Sequence, residues 1–395
     1  MNKRIVVIIF IISCLIHCFY FVSAYWTHTL DPWFEHDTMG QDFFAIPNAA
    51  YAFLHGGNLQ GQLPLGVTPY TDCCAANNNV YHPLFTLLIG IPLQMLPPWT
   101  AFYTWGAVHF LTSLFIVFFL WKKFSKNTHL YLAASIYLLN SYQYYEIQHA
   151  QFHILFNLCM LLFLYEIDKH GDTTKAGIYL FLSFLVKPIG LLFIIPLLLY
   201  RYWKTVIVAL VLFSIVTIPL YTAPMGKYYI TNILHRSESF TGSYNFIALE
   251  KFVPAEQIPI RFIVIVVTLF LFGYQIIVTP PIVPILSLWL IFQLLFNNSV
   301  FHYYYTVLAI LIPLTILLGH IKNNILDRTP VIFLTIPTPI IFLHLAGATA
   351  VLPVKQLSAI ALWSVFWVIW LATRLVVNMW PSIKNIEHRA SKFIE

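Results

Sequence analysis

The sequence predicts an all-α, polytopic membrane protein: a bundle of about twelve transmembrane helices with a helical first outer loop. Of its 395 residues, 59% are apolar and only 9% are charged, against about 25% charged in an average soluble domain. Mean hydropathy is +0.78. Too little charge remains to cover a water-facing surface, which excludes the soluble, disordered and fibrous classes. Aromatic residues reach 17%, with 34 Phe, 23 Tyr and 11 Trp, as suits side chains facing lipid and its interfaces. The net charge of +6 is scattered in short clusters. These read as topology signals and predict no nucleic-acid partner.

A spanning helix needs about 20 apolar residues. Residues 5–26 supply one directly after Lys3 and Arg4, which places the N-terminus inside. Val22-Ser23-Ala24 has the look of a signal-peptidase site, but the long apolar run and the many later spans favour an uncleaved anchor. Residues 27–80 carry Asp31, Glu35, Asp37, Asp42 and Asp72 and no Lys or Arg, so this loop belongs outside. Lys122-Lys123-Phe124-Ser125-Lys126 belongs inside, which requires an odd number of passes between them. One pass at 98–121 meets this, and 82–97, bounded by Pro83 and Pro97-Pro98, becomes a shallow helix on the outer face.

The remaining apolar runs are 128–141, 151–167, 174–186, 188–200, 204–222, 259–278, 282–297, 302–320, 330–349 and 356–379. With these twelve spans, 15 of the 21 bases fall inside, and Lys187, Lys227, Arg236, Lys251, Arg261 and Lys355 fall outside. The runs 174–186 and 188–200 are short for a straight crossing. The chain thus divides into a first transmembrane helix (1–26), an outer loop with interfacial helices (27–97) and core transmembrane helices (98–222). A second outer loop (223–258) and C-terminal transmembrane helices with a cytoplasmic tail (259–395) follow. The expected location is the cell membrane, with the chemistry on its outer face, because the polar material collects in the two outer loops.

Five cysteines, Cys14, Cys18, Cys73, Cys74 and Cys159, make neither a metal-ligand spacing nor a disulfide framework. Cys73 and Cys74 are adjacent, either as a vicinal disulfide or as two ordinary thiols. In the first outer loop, Phe43, Ile46, Ala50, Phe53 and Leu54 recur at helical spacing, and Gly56-Gly57 makes a stop. Asp42 then sits in the first turn, where the helix dipole favours its carboxylate. It is either a capping acid or a general base aimed between loop and bundle.

Tyr81-His82-Pro83 opens the shallow helix, with Pro83 suited to a first turn; a lone His82 is more often structural. The turn Tyr142 to His153 contains Tyr145, Glu146, Gln151 and His153, hydrogen-bonding groups beside aromatic faces. Its tyrosines either anchor the interface or hold sugar rings. Lys187-Pro188 interrupts an apolar run. A lysine at membrane depth marks a functional site unless it snorkels to headgroups. The second outer loop adds Arg236, and His302-Tyr303-Tyr304 opens a later span from outside.

In order and spacing, these segments resemble the polyprenol-phosphate-mannose-dependent mannosyltransferases of glycosyltransferase family 87, in the GT-C superfamily. The resemblance rests on Gly40-x-Asp42-Phe43, Ala49…Leu54-x-Gly56 and Tyr81-x-Pro83-Leu84-Phe85…Leu96-Pro97. It continues through Ala150-Gln151, Lys187-Pro188, the segment near Ser243–Leu249 and His302-Tyr303-Tyr304, over about 40–310. Two departures stand out: Ala150 replaces a usual Gly, and His153 a usual Asn.

The resemblance implies a GT-C-type bundle in which Asp42 is the catalytic base and Lys187 and His302 face the phosphate of a lipid-linked sugar donor. The expected reaction moves one hexose, taken as mannose, from a polyprenyl phosphate to a glycolipid or glycan hydroxyl, with inversion. Arg236 joins Lys187 and His302 at the phosphate, while Tyr81, His82, Tyr145, Glu146, Gln151, His153, Tyr303 and Tyr304 line the sugar and acceptor pocket. No Asp-x-Asp occurs in the first loop, so no metal or other cofactor is expected; Asp31, Glu35 and Asp37 are the candidates for a divalent site. Two rivals stand beside this reading. A transporter or flippase would bury polar groups mid-bundle and show internal repeats. A polysaccharide ligase or polymerase would place essential Arg and His in a large late outer loop, for which 223–258 is the candidate.

Overall fold

The computed structural model describes residues 3–27, 40–59, 68–70, 79, 81–222, 260–296, 302–322, 324–335 and 354–380. Among them all regular structure is helical. The helices are α1 (Lys3–Val22), α2 (Gln41–Leu54), α3 (Pro83–Gln94), α4 (Pro98–Phe124), α5 (Leu130–Leu139) and α6 (Ser141–Gln148). Then come α7 (His153–His170), α8 (Thr174–Val186), α9 (Ile194–Leu199), α10 (Trp203–Thr222) and α11 (Ile260–Val278). The last are α12 (Ile282–Phe296), α13 (Leu308–Leu317), α14 (Ile325–Thr335) and α15 (Val354–Met379). A π-helical turn, Ser23–Thr27, extends α1, and 3₁₀ turns Pro188–Phe193 and His302–Val307 lead into α9 and α13. Cys73, Cys74, Asp31, Glu35, Asp37 and the whole 223–258 loop lie outside the described residues.

Among the described residues, five helices are long and apolar enough to cross a membrane: Arg4–Trp26, Pro98–Phe124, Trp203–Thr222, Arg261–Val278 and Leu362–Met379. The other expected spans correspond to shorter helices, including both members of the pair broken at Lys187-Pro188. The shallow helix and the first-loop helix form as α3 and α2. The expected span 330–349 differs: its described helix starts at Ile325, because Asn324 caps it by accepting from the Asp327 amide at 2.9 Å.

The bundle buries polar side chains within a largely apolar core and exposes further apolar side chains on its outside. On α1, Ile5, Ile8, Ile12, Leu15 and Phe19 are exposed, whereas Ser13, His17 and Phe21 are buried. His17 bonds the Ser113 hydroxyl on α4 at 2.7 Å and the Leu138 carbonyl on α5 at 3.1 Å, and Ser113 meets the Tyr137 hydroxyl at 3.0 Å. Such bonds hold helices together where lipid tails supply no hydrophobic drive.

Several of the basic residues gather at one end of the bundle. The Asn127 amide donates to the Leu317 carbonyl at 2.8 Å, joining the Lys122–Lys126 turn to the end of α13. Asp172 caps α10 through the amides of Lys204 and Thr205, and the buried Asp327 takes Arg374 at 2.5 Å, Asn378 at 2.6 Å and the Lys322 amide at 2.8 Å. The opposite end carries α2, α3 and α6. There α3 lies so close on α2 that a Cβ at Gly90 would stand 2.7 Å from Ala50 Cβ and 2.8 Å from the Ile46 carbonyl.

Candidate functional site

Asp42 is placed by the start of α2. Gly40 precedes the helix with φ 65 and accepts from the Phe44 amide at 2.9 Å. A side chain at Gly40 is excluded twice, by that left-handed backbone and by Phe102 carbon atoms 2.8–2.9 Å from a Cβ. Phe43 and Phe44 are fully buried, which fixes the helix and leaves Asp42 partly exposed in its first turn.

Gln151 is placed by the end of α6. The Gln151 amide bonds the Glu146 carbonyl at 3.0 Å and the Ala150 amide bonds the Ile147 carbonyl at 3.1 Å, which is the Schellman closure of a helix. That closure needs a left-handed residue at position 150, and Ala150 has φ 49. Glycine is therefore the unstrained choice there, and alanine stores about 1 kcal/mol or more. Ala150→Gly is expected to raise the melting temperature of the purified protein with activity retained; an unchanged or lower value would show the strain to be relieved elsewhere. Trp105 secures the same turn by donating from its indole N–H to the Ala150 carbonyl at 3.1 Å. Phe152 packs on Trp105 with ring centroids 4.3 Å apart and on Phe43 at 6.0 Å.

These placements join Asp42 to Lys187 through a run of side-chain contacts. The Gln151 side-chain amide donates to the Asp42 carboxylate, and the Tyr81 hydroxyl donates to Gln151 Oε1 at 2.7 Å. Tyr81 itself is set by Asn79, whose Oδ1 accepts from its amide at 3.1 Å. Over the Tyr81 ring, 4.7 Å from its centroid, stands Lys187 Nζ; the Tyr304 ring faces the same ammonium at 5.0 Å. Lys187 is only 8% exposed and sits where Pro188, lacking an N–H, ends α8. No carboxylate lies within ion-pair distance of it among the described residues. Its charge is instead held between two π faces, an attraction strengthened by desolvation.

Beneath this lie more buried polar groups. The His153 ring meets Tyr304 edge-on, centroids 4.8 Å apart. One turn further along α7, the Asn157 amide donates to Thr306 at 3.3 Å. Glu146, 1% exposed, lies in the short helix α6 between the apolar helices α5 and α7. Burial pushes its carboxyl up to about 8, against the opposing pull of Thr306, the Ile154 amide and Lys187. Burial, followed by the nearby Asp42 charge, holds the Tyr81 phenol well above its ordinary value.

Of the residues expected at the site, Asp42, Tyr81, Gln151, Lys187 and Tyr304 thus meet, with His153 and Glu146 beside them. His82 turns elsewhere: its Nδ1 caps α3 by accepting from the Leu84 amide at 3.2 Å, and its Nε2 meets Thr217 of α10 at 3.1 Å. The side chains of Tyr145, His302 and Tyr303, and all of Arg236, lie outside the described residues. Tyr142 and Tyr144 belong to the core, since Tyr142 stacks on Tyr305 and donates to Ser364 at 2.7 Å, and Tyr144 packs on Tyr20. Asn79, Asn157 and Thr306 are additions from the fold. Asn157 could have been found from its spacing of four from His153, which puts both on one helix face.

The family model described as glycosyltransferase family 87 matches residues 79–255. The matched stretch includes Tyr81, Gln151 and Lys187 and stops short of Asp42 on one side and Tyr304 on the other. No curated protein matches the chain.

Proposed function

For a chain that belongs to glycosyltransferase family 87, and is a glycosyltransferase of the membrane, we propose the transfer of one hexose, mannose, from a polyprenyl phosphate to a glycolipid or glycan acceptor at the outer face. The observation that carries this reading is the unbroken run of contacts from the Asp42 carboxylate through Gln151 and Tyr81 to the Lys187 ammonium. A base and a cation linked through two shared side chains match the two demands of the reaction.

Asp42 takes the proton of the acceptor hydroxyl as its oxygen bonds to the anomeric carbon. The carbon–oxygen bond to phosphate breaks with its electron pair leaving on the phosphate oxygen, and attack from the opposite side inverts the anomeric centre. Lys187 meets the charge that grows on that oxygen; near low dielectric a fixed cation is worth far more than in water. Gln151 spends its amide N–H on Asp42 and its carbonyl on Tyr81, so one side chain orients both the base and the ring beneath the cation. The phenol of Tyr81, held neutral, serves as a donor and as a π face.

The test is incubation of purified protein with a panel of polyprenyl-phosphate sugars, nucleotide sugars and a membrane lipid extract, followed by mass measurement of new glycolipids. A product enlarged by one hexose, formed from polyprenyl-phosphate mannose, is the expected result. Transfer from nucleotide sugars alone would overturn the donor assignment.

A further inference from the structure

At the basic end of the bundle, roughly 27 Å from His153 along the 18 residues of α7, a second site is built from side chains that the transfer chemistry does not use. A cleft with a cavity of about 50 Å³ opens between the last turns of α4 and α7 and the first turns of α8. Its walls are aromatic and its rim is cationic. Lys123 Nζ lies 5.2 Å from the Tyr165 centroid and 6.0 Å from that of Phe119. Lys175 Nζ lies 5.7 Å from the Tyr179 centroid and 3.4 Å from Glu166 Oε2. The buried Glu166 also takes His170 at 3.2 Å and Thr173 at 3.3 Å. One carboxylate against two lysines leaves the cleft with a single positive charge from these three groups.

The cleft continues as an apolar furrow. Leu155, Leu158, Leu162 and Tyr165 recur at helical spacing along α7 and are all partly exposed, where most other positions of that helix are buried. On the bordering helices, Phe115 and Phe118 of α4 and Ile178 and Leu182 of α8 expose apolar surface. Both lysines are exposed to solvent, yet they line one cavity and lie over ring faces. A soluble anion has no use for the furrow, and a hydrocarbon chain has no use for the rim. An amphiphile with an anionic head uses both.

We infer that this cleft seats the phosphate headgroup of an anionic phospholipid, with its acyl chains along the α7 furrow. Basic pockets between membrane helices recognise such headgroups, each lysine near the surface contributing about a fivefold gain in binding.

Delipidated full-length protein in detergent, titrated with phosphatidylglycerol or phosphatidylcholine and read by native mass spectrometry, tests this. Phosphatidylglycerol is expected to bind more tightly and to weaken with salt. Lys123→Met with Lys175→Met keeps both apolar stems and should lose on the order of thirtyfold in phosphatidylglycerol binding, with phosphatidylcholine unaffected; the double Arg variant should retain it. Equal binding of the two lipids, or undiminished binding by the Met variant, overturns the inference. So does displacement of the lipid by inorganic phosphate alone, the mark of a soluble-anion site. If the Met variant does not fold, photo-crosslinking of the native protein with a phosphatidylglycerol probe decides, since labelling away from α4, α7 and α8 overturns it equally.

Discussion

Asp42→Asn is expected to abolish sugar transfer while the protein stays folded. The amide is isosteric with the carboxylate, and its oxygen can still accept from Gln151, so the packing around Phe43 and Phe44 has no reason to change. What is lost is the base. Proton transfer by a positioned side chain contributes about 10²–10⁴-fold, and the initial rate of glycolipid formation should fall by at least that lower figure. An unchanged melting temperature must accompany the loss. Retention of a tenth or more of the activity would remove Asp42 from the base role and leave it as a helix-capping acid.

Lys187→Met is expected to act on one substrate and spare the other. Methionine keeps an apolar stem between the Tyr81 and Tyr304 rings but brings no charge to the phosphate. Hydrogen bonds to charged groups are worth about 1.5–3 kcal/mol, which sets the expected fall in kcat/KM for the donor on the order of tenfold to a hundredfold. The acceptor KM should barely move, and Lys187→Arg should restore part of the donor term because it restores the charge. Equal losses for donor and acceptor would mean that Lys187 supports the packing of Tyr81 and Tyr304 without touching phosphate.

Both predictions depend on residues whose local setting is written in the chain. Asp42 was legible in the first turn of a helix that runs to Leu54 and stops at Gly56-Gly57, because a 3.6-residue period and glycine punctuation are local signals. Lys187 was legible because a lysine and a proline within an apolar run break both solvation and hydrogen bonding. The same signals gave helix limits at 98, 174–186 and 282 that agree with α4, α8 and α12. His82 shows where such reading runs out. Its neighbour Tyr81 joins Gln151 and Lys187, yet its own ring turns to Thr217, a contact 135 positions away that no local pattern encodes.

Ala150 shows the reverse case. Its departure from the expected glycine reads in the sequence as a detail of the pocket; the backbone makes it a matter of conformation, since φ 49 at the end of α6 favours glycine for reasons unrelated to any ligand. Asn79 and Thr306 were invisible for a related reason. A polar residue in an apolar setting signals that a partner is needed without saying which one.

By itself, the sequence determined that this chain is helical and membrane-embedded, where most helices begin and stop, and which ionisable groups are costly enough to need a use. These follow from composition and short-range periodicity, which act through each residue's own hydration and backbone preference. Only the tertiary structure decided that Asp42 and Gln151, 109 positions apart, share a hydrogen bond, that Tyr81 completes the path to Lys187, and that the lysines of the far end converge on an aromatic cleft. Those pairings arise when buried polar groups must find partners across helices, and that requirement is met only once the bundle has closed.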